Sequence, residues 1–548
     1  MNLKKIMIDQ IKSLSDFFNK ENENPSLSIN SSLLNKYSLF KSWLLTNGAI
    51  FSKNIDFPYT YGPFNLIGCK SVSEIKENES ILLIPKKLMI ISKELSYLNE
   101  YITDIEDELY EDTDMSTLYL TLHLCLELKN PNSFFRPYFD LILSNHNYLE
   151  DFTEENLKFF EEDDNIIISI KKTLEELDEL YEVIKEGKYF KNIDKKFFLF
   201  CYSQVVSRQF YIDKHCTALI PLADLLNHNN LMVHYELYDS ENYVFKYTDN
   251  FTVSSDINKD IVPTFIKEYP KCNDNNIINE EIKPFNLSSK SNKEDEDSVN
   301  INNTDYFSIS TSKGEKIEKG KQVFNNYYNG GNKYLLKNYG FCLIDNKYDY
   351  TLINFNIEKG KDIYLDKYLE IIFGKKYKTN TDPFYNILKI KIYFNEANFF
   401  LVKYFRFFYF YESVKDVKQY VNYRFDIDLE ISFIKLAIER LKLKFNCKKI
   451  EELDELENEL FNNKENKINY FKVNALIYRI TQKRNILHQI DLLEFILAII
   501  YKYKKEIKCY KDILLYQKDF VSISKYDTDE NSKIKIIKFI IKSHNFVS

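Results

Sequence analysis

Apolar positions along the chain follow helical spacing in some stretches and strand-like alternation in others, and the switches between them outline the architecture. Residues 33–47 (LLNKYSLFKSWLLTN) carry apolar groups at helical spacing and stop at Gly48, a residue suited to ending a helix. Between Leu66 and Ile91 the run IGCKSVSEIKENESILLIPKKLMI predicts short strands joined by a charged turn. Residues 93–210 return to helical spacing, with amphipathic stretches at 116–129 and 171–187. The segment FFLFCYSQVVSRQF (197–210) is apolar almost all round, which predicts a helix buried on most sides. ALIPLADLLNHNN (218–230) is apolar as far as Leu226 and then turns polar, HYELYDSENYVFKYTD predicts a hairpin, and 306–356 resumes alternation. From about 360 onward helical patterns dominate, at 384–412, 429–443, 468–482 and 489–504. The prediction is an α+β fold: a strand-rich unit over 37–356 with a helical insertion at about 93–200, then an all-helical domain over 357–548. Residues 1–36 form an N-terminal extension, and no internal repeat is present.

Composition changes this picture at one place. Residues 253–305 are rich in Asn, Asp, Lys, Glu and Ser and poor in core-forming side chains. Such a segment buries too little apolar surface to offset its ordering entropy, so a disordered loop insertion is expected there. Elsewhere 44% of the 548 residues are apolar and 28% charged, ordinary for a globular protein. Lys and Arg number 74 against 82 Asp and Glu, a net charge of −8 that gives no support to a nucleic-acid surface. The eight cysteines (69, 125, 201, 216, 272, 342, 447 and 509) contain no C-x-x-C pair, which favours reduced, buried thiols in an intracellular protein. The N-terminus lacks a signal-peptide run, and the apolar stretch Phe495 to Tyr501 is too short to span a bilayer. A soluble monomer is expected, cytoplasmic in preference to nuclear.

Two segments carry candidate chemistry. LADLLNH (222–228) passes from apolar to polar and sets Asn227 and His228 at the mouth of an apolar core. By itself this is what an ordinary capped element end offers. His215 and His234 lie near, but no His/Cys/Asp set has zinc-ligand spacing. KGEKIEKGKQVFNNYYNGGNKYLLKNYGF (313–341) reads as a strand, a tight turn at Tyr-Tyr-Asn-Gly-Gly and a short helix ending at Tyr339-Gly340-Phe341. Alone, these tyrosines fit core packing in a chain that has 42 of them.

Taken in order, the pieces resemble a known family. KSWLLTNGA (41–49), IPKKLMI (84–90), FFRPYFDLIL (134–143), YSQVVSRQF (202–210), IPLADLLNH (220–228) and Tyr327 to Phe341 resemble the SET-domain family typified by the Rubisco large-subunit methyltransferase, which includes the actin-histidine methyltransferase. The resemblance covers roughly 37–356 and implies a strand-rich SET core followed by a helical substrate-binding domain. It implies S-adenosyl-L-methionine as cofactor, held by Asn227 and His228, with Arg208 on its carboxylate and Phe341 against its adenine. Leu66-Ile67-Gly68 stands where the family has a G-x-G turn, which adds Leu66 and Gly68 to the cofactor set. Tyr327 falls at the catalytic tyrosine and also beside the cofactor, Tyr339 at the second tyrosine of the amine channel, and Tyr328 follows where the family has glycine.

The implied reaction is methyl transfer to a protein side chain, which needs positioning and desolvation and no metal. A lysine acceptor, with a reference pKa of about 10.4, must shed its proton first, and apolar burial beside a sulfonium favours that. The resemblance implies that the carbonyls of Ser207 and Asp224 and the Tyr327 hydroxyl aim the amine. The histidine-methylating branch has Asn where this chain has Phe210 and Trp where it has Ala223, so lysine on a non-histone protein is the expected acceptor and histidine the alternative. A SET-like module that binds protein without catalysis is the competing reading from another class.

Overall fold

The computed structural model describes Lys12 and residues 29–507, except 63, 104, 106–108, 110–112, 161–163, 214, 232, 239–244, 247–305, 359–384, 394–399, 414–425 and 446–468. The 253–305 insertion and most of the 1–36 extension lie outside the described residues.

Helix α1 (Ser31–Thr46) begins where the Asn30 side chain accepts from Leu33 N at 2.8 Å and buries Tyr37, Phe40, Leu44 and Leu45. Antiparallel sheets follow. Strands β1 (Ile50–Phe51), β4 (Ser80–Pro85), β10 (Tyr306–Thr311), β8 (Val233–Tyr238) and β9 (Phe245–Lys246) form one in the order β1-β4-β10-β8-β9. Strands β2 (Ile55–Tyr61), β3 (Leu66–Ser71) and β11 (Gln322–Val323) form a second, with β3 in the middle. Strands β5 (Ile90–Ile91), β7 (Cys216–Leu219) and β6 (Gln209–Asp213) form a third, with β7 in the middle. Every residue of β4 is buried, as its unbroken SILLIP run requires of a strand covered on both faces.

The helical insertion carries α2 (Met115–Glu127), α3 (Arg136–Ile142), α4 (Asp164–Glu186) and α5 (Lys195–Val206). Asp114 caps α2 by accepting from Ser116 N and Thr117 N, and Asp194 caps α5 by accepting from Lys196 N. The helix expected over 197–210 stops at Val206, and Gln209 and Phe210 already belong to β6. The described cysteines, Cys69, Cys125, Cys201, Cys216 and Cys342, are free and buried.

After α6 (Asn332–Tyr339) the domain expected to be all-helical opens with a strand pair. Strand β12 (Tyr350–Glu358) pairs along its length with β13 (Tyr385–Tyr393), from Tyr350↔Tyr393 to Glu358↔Tyr385. The helix expected over 384–412 is therefore β13 followed by α7 (Phe400–Ser413). The reason lies in YNILKIKIY, where Ile390 and Ile392 are buried while Lys391 between them is exposed. That is a two-residue period, which a helix cannot place on one face. Helix α8 (Ile427–Phe445) and the 33-residue α9 (Tyr470–Lys502) complete the layer. The two helices expected at 468–482 and 489–504 are this one helix, because the intervening KRNILH contains neither Gly nor Pro. Its first half packs with Tyr148, Phe160 and Leu336, and its second half with β12, β13, α7 and α8.

Arg406 of α7 and Glu430 of α8 form a buried ion pair at 2.7 Å, with side chains 7% and 0% exposed. Replacing Arg406 with Leu strands the carboxylate and is expected to destabilise the protein by about 3–5 kcal/mol in urea unfolding, whereas Arg406→Leu/Glu430→Leu recovers most of that. Equal losses in the single and double variants would remove this pair from the account of the layer's stability.

Candidate active site

Two separated segments meet side by side. Asn325 N donates to Asn227 O at 2.8 Å and Asn229 N to Asn325 O at 2.9 Å, a parallel bridge that sets His228 opposite Asn325. Tyr327 N donates to His228 Nδ1 at 3.0 Å. The imidazole is buried, which lowers its pKa to about 4, so it is neutral. Since Nδ1 accepts, its proton sits on Nε2, and that buried donor has no hydrogen-bond partner.

Around this crossing the rings converge. His228 lies 5.2 Å from Tyr327 and 5.7 Å from Phe341, and Tyr339 lies 5.2 Å from Tyr327 and 6.0 Å from Phe341. The Tyr327 hydroxyl donates to Leu226 O at 3.0 Å. Burial raises the pKa of Tyr327 and Tyr339, keeping both as neutral phenols. Tyr339 and Phe341 flank Gly340, which ends α6 with φ +77°, a left-handed conformation that suits glycine.

The Asn227 side chain donates to Ile67 O in β3 at 3.1 Å. Beside it, a Cβ on Gly68 would stand 2.6 Å from Gln322 Nε2 and 2.9 Å from Asn227 Nδ2, so three chain segments converge there on a cradle only glycine leaves open. Gln322 Nε2 and Asn325 Nδ2 are, like His228 Nε2, buried donors without hydrogen-bond partners. A cluster of unanswered donors fits a ligand rich in acceptors, as a purine nucleoside bearing a carboxylate is. Leu66, at the start of β3, is 42% exposed.

Arg208 follows α5 by two residues. Its Nη1 donates to Asp224 Oδ2 at 3.0 Å and its Nε to Gln204 Oε1 at 3.3 Å. Tyr138 of α3 donates its hydroxyl to the same Asp224 oxygen at 2.8 Å. Burial pushes the Asp224 carboxyl up, and the Arg208 charge and the two hydrogen bonds hold it back. Asp224 and the fully buried Ala223 sit in a short 3-10 turn entered through Leu222, whose φ of +73° is unusual for a branched side chain. Ser207 caps α5, donating its hydroxyl to Ser203 O at 2.7 Å. Phe210 is placed against Phe307 of β10, ring centroids 5.2 Å apart.

The expected residues thus fall into a ring cluster (His228, Tyr327, Tyr339, Phe341), a backbone cradle (Gly68, Asn227) and an ion pair (Arg208 with Asp224). Sequence reading missed Gln322, Asn325 and Tyr138 as members. Tyr138 was within reach, since FFRPYFDLIL was already singled out, but Gln322 and Asn325 carry no signal in an Asn-rich chain. Among the described residues no group of His, Cys, Asp or Glu is placed to hold a metal ion, and no helix is long and apolar enough to cross a membrane.

His228 ties the site to pH. Its folded pKa of about 4 lies below its ordinary 6.5, so the unfolded chain binds the extra proton first as pH falls. Its contribution is complete above pH 6.5 and is lost towards pH 4, in all roughly 3 kcal/mol. Urea unfolding of His228→Gln across this range is expected to show a shallower acid loss than the native protein; parallel curves would count against a neutral, buried His228.

No protein-family model matches the chain. It is similar to the actin-histidine N-methyltransferases of Otolemur garnettii, 24% identical over 238 residues, and Gallus gallus, 25% over 238 residues. Each match covers 41% of this chain and 39% of the relative, so the chain spans about two fifths of the length of these curated relatives. Among solved structures it is similar to the SET domain of LSMT bound to lysine and AdoHcy, with TM-score 0.52, 16% identity and 91% of this chain covered against 98% of that one. Rubisco LSMT bound to AdoMet gives TM-score 0.53, 16% identity and coverage of 90% and 98%. The strand-rich core with its helical insertion and following helical layer has the SET-domain fold of Rubisco LSMT.

Proposed function

We propose that this chain is an S-adenosylmethionine-dependent protein methyltransferase whose acceptor is a lysine of a non-histone protein. The observation that carries this reading is the convergence of three buried, unanswered donors, His228 Nε2, Gln322 Nε2 and Asn325 Nδ2, on the Gly68–Asn227 cradle beside the rings of Tyr327, Tyr339 and Phe341. Asn227, His228 and the Gly68 backbone would hold the nucleoside, with Phe341 against the adenine. Arg208 spends Nη1 and Nε on Asp224 and Gln204, and its other guanidinium donors suit the carboxylate of the amino-acid moiety. When bound, S-adenosylmethionine supplies an electrophilic methyl group on a positive sulfur.

The chain's own residues then do three things. The buried rings of Tyr327 and Tyr339 exclude water from the acceptor amine and disfavour its charged form, which exposes the nitrogen lone pair. Tyr327, its proton committed to Leu226 O, retains oxygen lone pairs that accept from an amine N–H and so turn the nitrogen lone pair towards the methyl group. Ser207 lies just past the last turn of α5, where carbonyls lack intrahelical partners, and can accept a second N–H.

Lysine is preferred because Phe210 and Ala223 stand where the histidine-methylating branch has Asn and Trp, and neither side chain can hydrogen-bond an imidazole nitrogen. Histidine is the second reading, favoured by the actin-histidine relatives. Calorimetry with S-adenosylmethionine is expected to show binding that Asn227→Ala abolishes; absence of binding by folded native protein would overturn the enzyme reading in favour of a non-catalytic binding module. Tyr327→Phe is expected to bind the cofactor but lower turnover about a hundredfold, the scale of a mispositioned nucleophile. Mass spectrometry of a treated lysate then decides the acceptor, methyl-lysine supporting the proposal and methyl-histidine overturning its acceptor.

A further inference from the structure

Helix α9 belongs to the C-terminal layer, yet one face of its first half reaches the segment that carries Tyr339 and Phe341. Asn474 Oδ1 accepts from Cys342 N at 2.7 Å, directly after Phe341, and its Nδ2 is braced on Tyr470 O at 2.9 Å. About two turns further on, the same face meets the other end of α6. Thr481 Oγ1 accepts from Asn332 Nδ2 at 3.2 Å, and Gln482 Nε2 donates to Asp349 Oδ2 at 3.4 Å. Asp349 Oδ1 in turn accepts from Asn332 N at 2.9 Å, the first residue of α6. At the helix start, Tyr470 packs edge-on against Phe64, ring centroids 4.7 Å apart, just before β3 and its Gly68. Positions 474, 481 and 482 are spaced by seven and eight residues, one stripe of a helix.

Asn474 is 3% exposed and Cys342 7% exposed, so their bond is out of water, where losing the acceptor leaves a buried N–H unsatisfied. The chain leaves α6 through the left-handed Gly340, a point with little torsional preference of its own. Asn332 holds the next residue, accepting from Leu343 N at 3.0 Å and donating to Leu343 O at 2.8 Å, and the Asn474 bond holds the amide directly after Phe341. We infer that Asn474 is a positioning residue for the nucleoside pocket: by holding the Cys342 amide it sets the Phe341 ring against His228 and Tyr327. The C-terminal helix thereby completes the cofactor site. This rests on the reading of that site as a nucleoside pocket.

The test is calorimetric binding of S-adenosylhomocysteine to the full chain as native protein, Asn474→Leu and Asn474→Asp, with melting temperatures alongside. Leu keeps the volume and removes the acceptor, so the dissociation constant is expected to rise about tenfold. Asp keeps an acceptor oxygen at the same reach and is expected to bind near the native level, although burying a carboxyl makes it melt no higher than Asn474→Leu. Affinity that departs from melting order in this way separates positioning from general stability. Native-like binding by Asn474→Leu, or affinities that simply follow melting temperature, would overturn the positioning role while leaving the nucleoside pocket standing. If the native protein binds no S-adenosylhomocysteine, the pocket and the role of Asn474 fall together.

Discussion

The parallel bridge between 227–229 and 325–327 is the constraint on which the site hangs. It is short, but His228 and Asn325 at its centre are buried and backbone bonds are exchanged in both directions, which leaves little freedom to slide. Each partner segment delivers side chains immediately beside the crossing. Asn227 points back to β3, His228 accepts from the Tyr327 amide, and the Tyr327 hydroxyl returns to Leu226. The pairing of β8 with β10, from Tyr306↔Tyr238 to Thr311↔Val233, brings the two halves of the chain together before the crossing is reached.

Electrostatics divides the surrounding space. Towards the rings, burial keeps His228 and the tyrosines neutral, so that region presents no charge of its own. Towards α3 and α5, one positive and one negative side chain share a buried pocket, with Arg208 19% exposed and Asp224 3% exposed. A buried pair of this kind contributes little net stability, because desolvation offsets most of the attraction. Its value is orientation: Tyr138 and Arg208 clamp one carboxylate oxygen, and that fixes the turn containing the strained Leu222.

Much of this was legible from residue order. The apolar-to-polar switch in LADLLNH and the Gly340 stop after Tyr339 are local signals, and both sit where the pattern put them. The ribbon at β13 was missed as a strand, because its short two-residue alternation runs straight into the helical pattern of α7 and its partner β12 ends 27 positions before it starts. The Asn474 bond and the Gln322 and Asn325 donors were invisible for a different reason. They are polar residues whose meaning comes wholly from a partner far along the chain, and an Asn-rich composition hides them among neighbours of the same type.

The position of the long polar segment has its own consequence. It leaves the sheet after β9, which ends at Lys246, and rejoins at β10, which starts at Tyr306, so both of its ends are anchored in a single sheet. The entropic cost of closing a connection between two fixed strand ends grows only with the logarithm of its length, about 0.6 kcal/mol for each doubling. The number of residues between β9 and β10 is therefore a small term beside the contacts that set the crossing at His228 and Asn325. A change in the length of this connection is thus expected to leave the geometry at His228 and Tyr327 in place.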